Sequence, residues 1–231
     1  MKDNFIEIYN NALSDKSCDY IISCFDKFKE HVFTGMTGSG VNKSKKDSLD
    51  FNLLRVQDEL EDFLFDEIKT SLKNHINKYM EKYKLKDGKN LNLWKAFSIF
   101  PYSVHAKKYI KGTGGYHMFH SDDDAGEGSI YRQLVCMYYL NTIKKGGETE
   151  FYHQDLKVKP TKGSLVVFPA FFTHLHKGHV PLDNDKYILN FWLMKGLANP
   201  QNVINRNAFT LTDISLPKKK NSSPTLTDFI F

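Results

Sequence analysis

Near residue 91 the hydrophobic period of this chain changes, and that change limits what it can fold into. Upstream, apolar residues recur at helical spacing. One set is Cys18, Ile21, Ile22, Phe25 and Phe28; another is Leu60, Phe63, Leu64, Ile68, Leu72, Ile76, Tyr79 and Tyr83. The first predicts a helix with Ser14 or Asp15 at its N-cap. The second predicts a helix over Val56 to Tyr83, followed by the glycine of Lys86-Asp87-Gly88. Downstream the spacing becomes that of short strands: 92–100, 105–110, 115–120, 131–140, 148–152, 155–159, 164–168, 173–177 and 186–194. Segments GTGG, DDDAGEG, KKGG and TKG supply turns between them, and Phe5–Tyr9 reads as one earlier strand. Many short strands behind a helical lead-in predict an α+β, mainly β fold: a double-stranded β-helix, or jelly roll, backed by N-terminal helices.

At 231 residues the chain has the length of a single domain. Within it, 1–90 reads as a helical support region, 91–196 as the jelly-roll core and 197–231 as a C-terminal extension. Residues 34–48, TGMTGSGVNKSKKDS, lack an apolar period and read as a mobile surface loop, a candidate substrate lid. The extension carries a near-repeat, Thr210-Leu-Thr-Asp-Ile and Thr225-Leu-Thr-Asp-Phe, too short for a solenoid. Between the copies, the segment holding Lys218-Lys219-Lys220 reads as a solvated linker.

Composition narrows the function classes. A hydrophobic content of 41% sets the chain apart from disordered proteins. Its net charge of +5 comes from interspersed signs, which speaks against nucleic acid as a partner. Three cysteines, Cys18, Cys24 and Cys136, form no CxxC pair, so a reducing, cytoplasmic setting is expected. The opening segment lacks the apolar core of a signal peptide, and no apolar run reaches membrane-spanning length, so no membrane partner is expected. Two Asn-x-Ser matches, at Asn42 and Asn221, therefore read as chance.

The chemistry lies in His120-Ser121-Asp122, His176 and Lys186. On a strand, residues i and i+2 share a face, so His120 and Asp122 can meet one metal while Ser121 points away. A distant imidazole would complete a two-His-one-carboxylate set, which suits non-haem Fe(II) with open positions. HxD alone does not exclude zinc. Asp123 and Asp124 compete poorly, one facing away and one beyond the strand end. For the distal ligand His174, His176 and His179 are candidates. Spacing to Lys186 and the Lys177-Gly178 turn favour His176, leaving His174 as a pocket residue and His179 in a loop. Lys186 opens the apolar strand KYILNFWLMK, where a buried ammonium calls for an anion such as a ligand carboxylate. Tyr139 could add a hydrogen bond from inside the barrel, although a plain core position is the commoner reading.

These residues stand within a longer series: Tyr109-x-x-Gly112-x-Gly114-Gly115-Tyr116, His120-x-Asp122, Arg132 and Met137-Tyr-Tyr-Leu-Asn141. Then follow Gly146-Gly-Glu-Thr-Glu-Phe151, Pro160-x-x-Gly163, Phe168-Pro169, His176-x-Gly178, Lys186-Tyr187 and Trp192. Over about 91–196 the chain resembles the prolyl 4-hydroxylase-like branch of the Fe(II)/2-oxoglutarate dioxygenases, its soluble bacterial and viral members most closely. The opening Ala12-Leu-Ser-Asp-Lys-Ser-Cys-Asp-Tyr-Ile-Ile is similar to that family's first helix. The resemblance implies that His120, Asp122 and His176 hold iron, and that Lys186 pairs with the distal carboxylate of 2-oxoglutarate, helped by Tyr139 and Tyr109. Arg132, His174, Asn190 and Trp192 are candidate pocket residues. Two departures stand out: Met118-Phe119 lengthens the approach to His120, and Asn190 sits where some relatives place a hydroxyl residue.

The reaction implied is oxidative decarboxylation of 2-oxoglutarate to succinate and carbon dioxide, coupled to hydroxylation of an unactivated C–H bond. Fe(II), 2-oxoglutarate and dioxygen are the implied cofactors, and ascorbate is admitted beside them. A prolyl residue in a peptide or protein is the leading substrate. A free amino acid, another side chain or a nucleobase is the alternative within enzymes. Outside them stand an inactive metal-binding jelly roll and a cupin-like site built on His174, His176 and His179.

Overall fold

The computed structural model describes residues 3–84, 97–99, 104–123, 129–195 and 209–210. The gaps leave Lys86-Asp87-Gly88, Asp124 and nearly all of the C-terminal extension, with its near-repeat and lysines, outside the described residues.

Strand β1 (Glu7–Tyr9) precedes helix α1 (Asp15–Lys27), and three short strands follow: β2 (Val32–Thr34), β3 (Lys46–Asp47) and β4 (Leu49–Asn52). Helix α2 (Asp62–Lys82) ends the helical lead-in. Then come β5 (Phe97–Ile99), β6 (His105–Tyr109), β7 (Gly115–His120), β8 (Arg132–Tyr139) and β9 (Thr149–Phe151). The remainder are β10 (Leu156–Val158), β11 (Leu165–Pro169), β12 (His176–Gly178), β13 (Lys186–Lys195) and β14 (Phe209–Thr210). The described strands form two antiparallel sheets. The larger runs β1-β11-β8-β13-β6-β4-β2, with β5 on β13 and β14 on β5; the smaller runs β10-β9-β12-β7-β3.

Ser14 caps α1, its side-chain oxygen accepting from the Ser17 backbone N–H, and Cys18, Ile21, Cys24 and Phe25 are buried along one face. In α2 the buried stripe is Leu64, Ile68, Leu72, Ile76 and Tyr79. That helix starts later than the apolar period predicts. Residues Leu53–Glu59 form a 3-10 stretch with a non-helical break at Val56, and Leu60 is extended before the helix proper. The apolar residues of 53–60 still reach the core, but through a tighter and kinked backbone.

Side chains alternate across the large sheet and divide the core in two. One cluster holds the helices together with Leu134, Cys136, Tyr138, Leu165, Val167, Leu189, Phe191 and Leu193. The other, on the opposite face, holds Tyr109, Val135, Met137, Tyr139, Phe151, Val166, Phe168, Ile188 and Trp192. Burial of both faces explains why β8, β11 and β13 read as nearly continuous apolar runs. Lys186 and Asn190 share strand parity with Ile188 and Trp192, so two polar side chains stand in the second, intersheet cluster.

Residues 34–48 depart from the expected featureless loop. Thr34 ends β2, Thr37 and Gly40 bridge a turn, and Lys46–Asp47 pairs with Tyr116 and Gly115 of β7. A strand of Lys-Asp carries no apolar alternation, so its pairing is dictated from outside the segment.

Candidate metal centre

His120 is the last residue of β7, and His176, the first of β12, faces it directly across the small sheet. Asp122 lies beyond the strand end, not on it. Its backbone N–H bonds the Ala170 carbonyl at 2.9 Å, which turns the side chain back towards both imidazoles. One nitrogen from each of His120 and His176 and one oxygen of Asp122 all lie within 4.8 Å of one another. Asp122 and His176 are buried.

Each imidazole is oriented through its other nitrogen. His120 Nδ1 lies 3.3 Å from the Met118 carbonyl and His176 Nδ1 lies 3.1 Å from the His174 carbonyl. A carbonyl only accepts, so Nδ1 carries the proton on both rings and Nε2 is left as the lone-pair donor. Burial, then the neighbouring His176, pushes His120 down to about 3, while burial also lowers His176, so both are neutral ligands at ordinary pH. Burial opposes ionisation of Asp122. In acid, the protonated imidazoles of His176 and His120, with the cations Arg132 and Lys107, outweigh it and hold the carboxyl down to about 2.

The lengthened approach through Met118-Phe119 is taken up by a bulge. Between the pairs His176↔His120 and Gly178↔Tyr116 the β7 strand holds two more residues than β12. Such a bulge shortens the strand locally, and the Tyr116 ring stacks on His120 at 3.6 Å between centroids, 8° from parallel.

His174 and His176 do not share a strand face. Phe172–His174 is a 3-10 turn, and His174 Nε2 reaches the Asn4 carbonyl while its Nδ1 meets the Thr173 hydroxyl. His179 is held by Glu150. Neither joins the triad, and Asp123 does not either.

Lys186 is 2% exposed, and its ammonium donates to the Gly147 carbonyl at 3.0 Å and lies 4.7 Å from the Tyr109 ring centroid. Gly147 holds a left-handed φ of +74°, which aims that carbonyl and which a side chain would strain. Burial pulls Lys186 down to about 8, against the opposing pull of Glu148. Two of its three N–H donors have no protein acceptor among the described residues. The two tyrosines expected to help Lys186 have different surroundings. Tyr139 donates its hydroxyl to Thr149 Oγ1 at 2.7 Å, so its proton is already committed, whereas Tyr109 is the ring beside Lys186.

Trp192 and Arg132 act on the carboxylate ligand. Trp192 Nε1 donates to Asp122 Oδ2 and Arg132 donates to the Asp122 carbonyl, each at 2.9 Å, with the guanidinium 4.0 Å above the indole. Asn190 is buried, and its Oδ1 has no hydrogen-bond partner among the described residues. The sequence reading missed Lys107, which follows from parity: it stands two residues before Tyr109 on β6 and faces the same side.

The donor set fits a ferrous ion: three ligands converge from one side, and the orphaned Asn190 oxygen and spare Lys186 donors await a polar ligand. Comparison with known proteins decides the family. Residues 104–194 match the model of the 2OG-Fe(II) oxygenase superfamily.

This segment is a 2OG-Fe(II) oxygenase domain.

It includes all three triad residues and Lys186. No curated protein matches the chain by sequence. Among solved structures, the domain and its helices are similar to the viral collagen prolyl hydroxylase of Paramecium Bursaria Chlorella virus-1, in a 2OG complex. Identity is 21%, coverage 84% of this chain and 97% of that one, and the TM-score 0.58. A Trichoplax adhaerens prolyl hydroxylase, in complex with a hypoxia inducible factor peptide fragment, is 17% identical over 83% of this chain and 84% of its own, TM-score 0.59. A Pseudomonas putida prolyl-4-hydroxylase is 14% identical over 82% and 92%, TM-score 0.55. At these identities the likeness is one of fold. Among the described residues no helix of the oxygenase is long and apolar enough to cross a membrane.

Proposed function

We propose that this oxygenase hydroxylates prolyl residues in a peptide or protein, consuming 2-oxoglutarate and dioxygen and releasing succinate and carbon dioxide. The observation that carries the reading is the convergence of His120, Asp122 and His176 to within 4.8 Å, on the face that also buries Lys186. In this reading His120 Nε2, His176 Nε2 and one Asp122 oxygen hold the metal. Fe(II) bound there with 2-oxoglutarate would supply the activation of dioxygen for attack on a C–H bond.

The rest is the work of the chain. Lys186 offers its spare N–H donors to the distal carboxylate of 2-oxoglutarate, and Tyr109 stands beside it as the hydroxyl available to the same ligand. The Asn190 oxygen accepts from a donor group brought by the substrate. Phe151, Phe168, Val166 and Ile188 keep the space between the sheets apolar and exclude water from the reaction. Packing of the two sheets around this space supports reading the core as a double-stranded β-helix, with residues 34–48, tied to β7 through Lys46–Asp47, as the candidate substrate lid.

The peptide substrate draws support from the fold shared with three prolyl hydroxylases, one of them holding a peptide fragment. Succinate release, measured with Fe(II), 2-oxoglutarate and a panel of proline peptides, free amino acids and nucleosides, tests it. Stimulation by a proline peptide, with hydroxyproline in the product, is the expected result. Stimulation by a free amino acid or nucleoside alone would replace the prolyl assignment. Ascorbate is varied in the same assay to learn whether turnover needs it.

A further inference from the structure

The hydroxylase reading leaves one buried cation without a task. Lys107 is 8% exposed and projects from β6 on the Tyr109 side, its ammonium 5.3 Å from the Trp192 ring centroid. No hydrogen bond or ion pair satisfies it among the described residues. Asp50 stands opposite it in the β4–β6 register, yet both oxygens of that carboxylate are engaged. Lys46 takes Oδ2 at 2.7 Å and the Ser48 hydroxyl takes Oδ1 at 2.7 Å. Two buried lysines thus stand at one carboxylate, and only Lys46 is bonded to it. Asp122 offers no substitute, since Trp192 takes one oxygen and the other faces His120.

A buried ammonium is tolerated when an anion arrives to meet it. The reaction brings two candidates, cosubstrate and substrate, and the neighbours of the two lysines separate them. Lys186 is bonded to Gly147 and lies near Gly178 of β12, with Glu148 the charge acting on it. Lys107 has a different set of neighbours: the charges around it are Lys46, Asp50, Asp122 and Arg132. Its ammonium lies at the same indole that holds the carboxylate ligand, so it stands beside the triad, bonded to none of the groups that hold Lys186.

We propose that Lys107 is a specificity-determining residue that binds a carboxylate carried by the substrate next to the carbon to be hydroxylated. The inference rests on the hydroxylase reading and narrows its substrate class to acidic ones. The carboxylate has two possible sources: an Asp or Glu side chain flanking the proline of a peptide, or the α-carboxylate of a terminal or free amino acid.

The test uses the full chain loaded anaerobically with Fe(II) and 2-oxoglutarate, whose visible charge-transfer band reports cosubstrate, and whose change on adding substrate reports substrate binding. The probes are capped proline peptides bearing Glu or Gln at each flanking position in turn, together with L-proline against L-prolinamide. The wild type is expected to favour one acidic probe over its neutral twin by about tenfold or more, the identity of that probe giving the source. Lys107→Met should erase the preference while leaving the 2-oxoglutarate titration of the band unchanged, and Lys107→Arg should keep part of it. Equal response to every acidic and neutral pair, or a preference that survives in Lys107→Met, would overturn the assignment. So would a Lys107→Met variant that loses 2-oxoglutarate affinity, because Lys107 would then serve the cosubstrate. A wild-type protein without the band would overturn the hydroxylase reading itself, and this assignment with it.

Discussion

The indole of Trp192 donates a 2.9 Å hydrogen bond to Oδ2 of Asp122, while Oδ1 of the same carboxylate lies 3.6 Å from His120 Nε2. One oxygen is anchored and the other is presented to the imidazoles. Trp192→Phe keeps the ring and removes the anchor, so iron affinity should fall by about 10- to 100-fold, in line with other supporting contacts to metal ligands. Fe(II) titration of the variant reads this directly. An unchanged affinity would show that the carboxylate needs no such support.

Lys186 is expected to lower stability in return for cosubstrate binding. Burial holds its folded pKa at about 8, below the ordinary 10.5, so the cost of the buried charge is fully present below pH 8. It disappears as pH rises from 8 to 10.5, where the unfolded chain binds more protons than the folded one. Lys186→Met should therefore stabilise the cosubstrate-free protein by on the order of 1–3 kcal/mol at pH 7, with the advantage shrinking across that window. Denaturant melts at pH 7 and pH 10 check the sign. The same variant should lose its response to 2-oxoglutarate.

The same group sets a pH limit on cosubstrate binding. Protonated Lys186 is the form that meets a carboxylate, so affinity for 2-oxoglutarate should be flat below pH 8 and weaken above it, approaching about tenfold per pH unit. A titration series across pH 7 to 10 would show it. Affinity that rises with pH would assign the carboxylate to another partner.

Tyr109 and Tyr139 should separate by phenotype. Tyr139→Phe loses the bond to Thr149 in a buried site and should cost about 1 kcal/mol of stability, with little effect on the concentration of 2-oxoglutarate required. Tyr109→Phe removes the hydroxyl beside Lys186 and should raise the KM for 2-oxoglutarate several-fold with stability nearly unchanged. The reverse pattern would restore Tyr139 as the cosubstrate contact.

These tyrosines also show where sequence reasoning reaches its limit. Parity along β8 puts Tyr139 inside the sheets, but its proton goes to Thr149 on the other sheet, a pairing that no local pattern encodes. The strands from β6 to β13 were legible because glycine-bearing turns bracket long apolar runs such as LVVFP and KYILNFWLMK. Strands β2, β3 and β4 were not. Lys46–Asp47 has no apolar alternation, and LDFN alternates over only four residues, so both gain their order from partner edges. His120, Asp122, His176 and Lys186 stood out by residue type. The separation of His174 from His176 did not, because it depends on a 3-10 turn that removes His174 from the strand. Lys107 was available from its parity with Tyr109, but its lack of a hydrogen bond or ion pair among the described residues became visible only when Asp50 was seen bonded to Lys46 and Ser48.

The most direct test of the site is an anaerobic titration of metal-free protein with Fe(II) and 2-oxoglutarate, followed by the visible metal-to-ligand charge-transfer band. The account predicts a saturable band that is abolished in His176→Ala and that Lys186→Met forms only at much higher 2-oxoglutarate. No band in folded, iron-loaded protein, or a band that survives unchanged in His176→Ala, would contradict it.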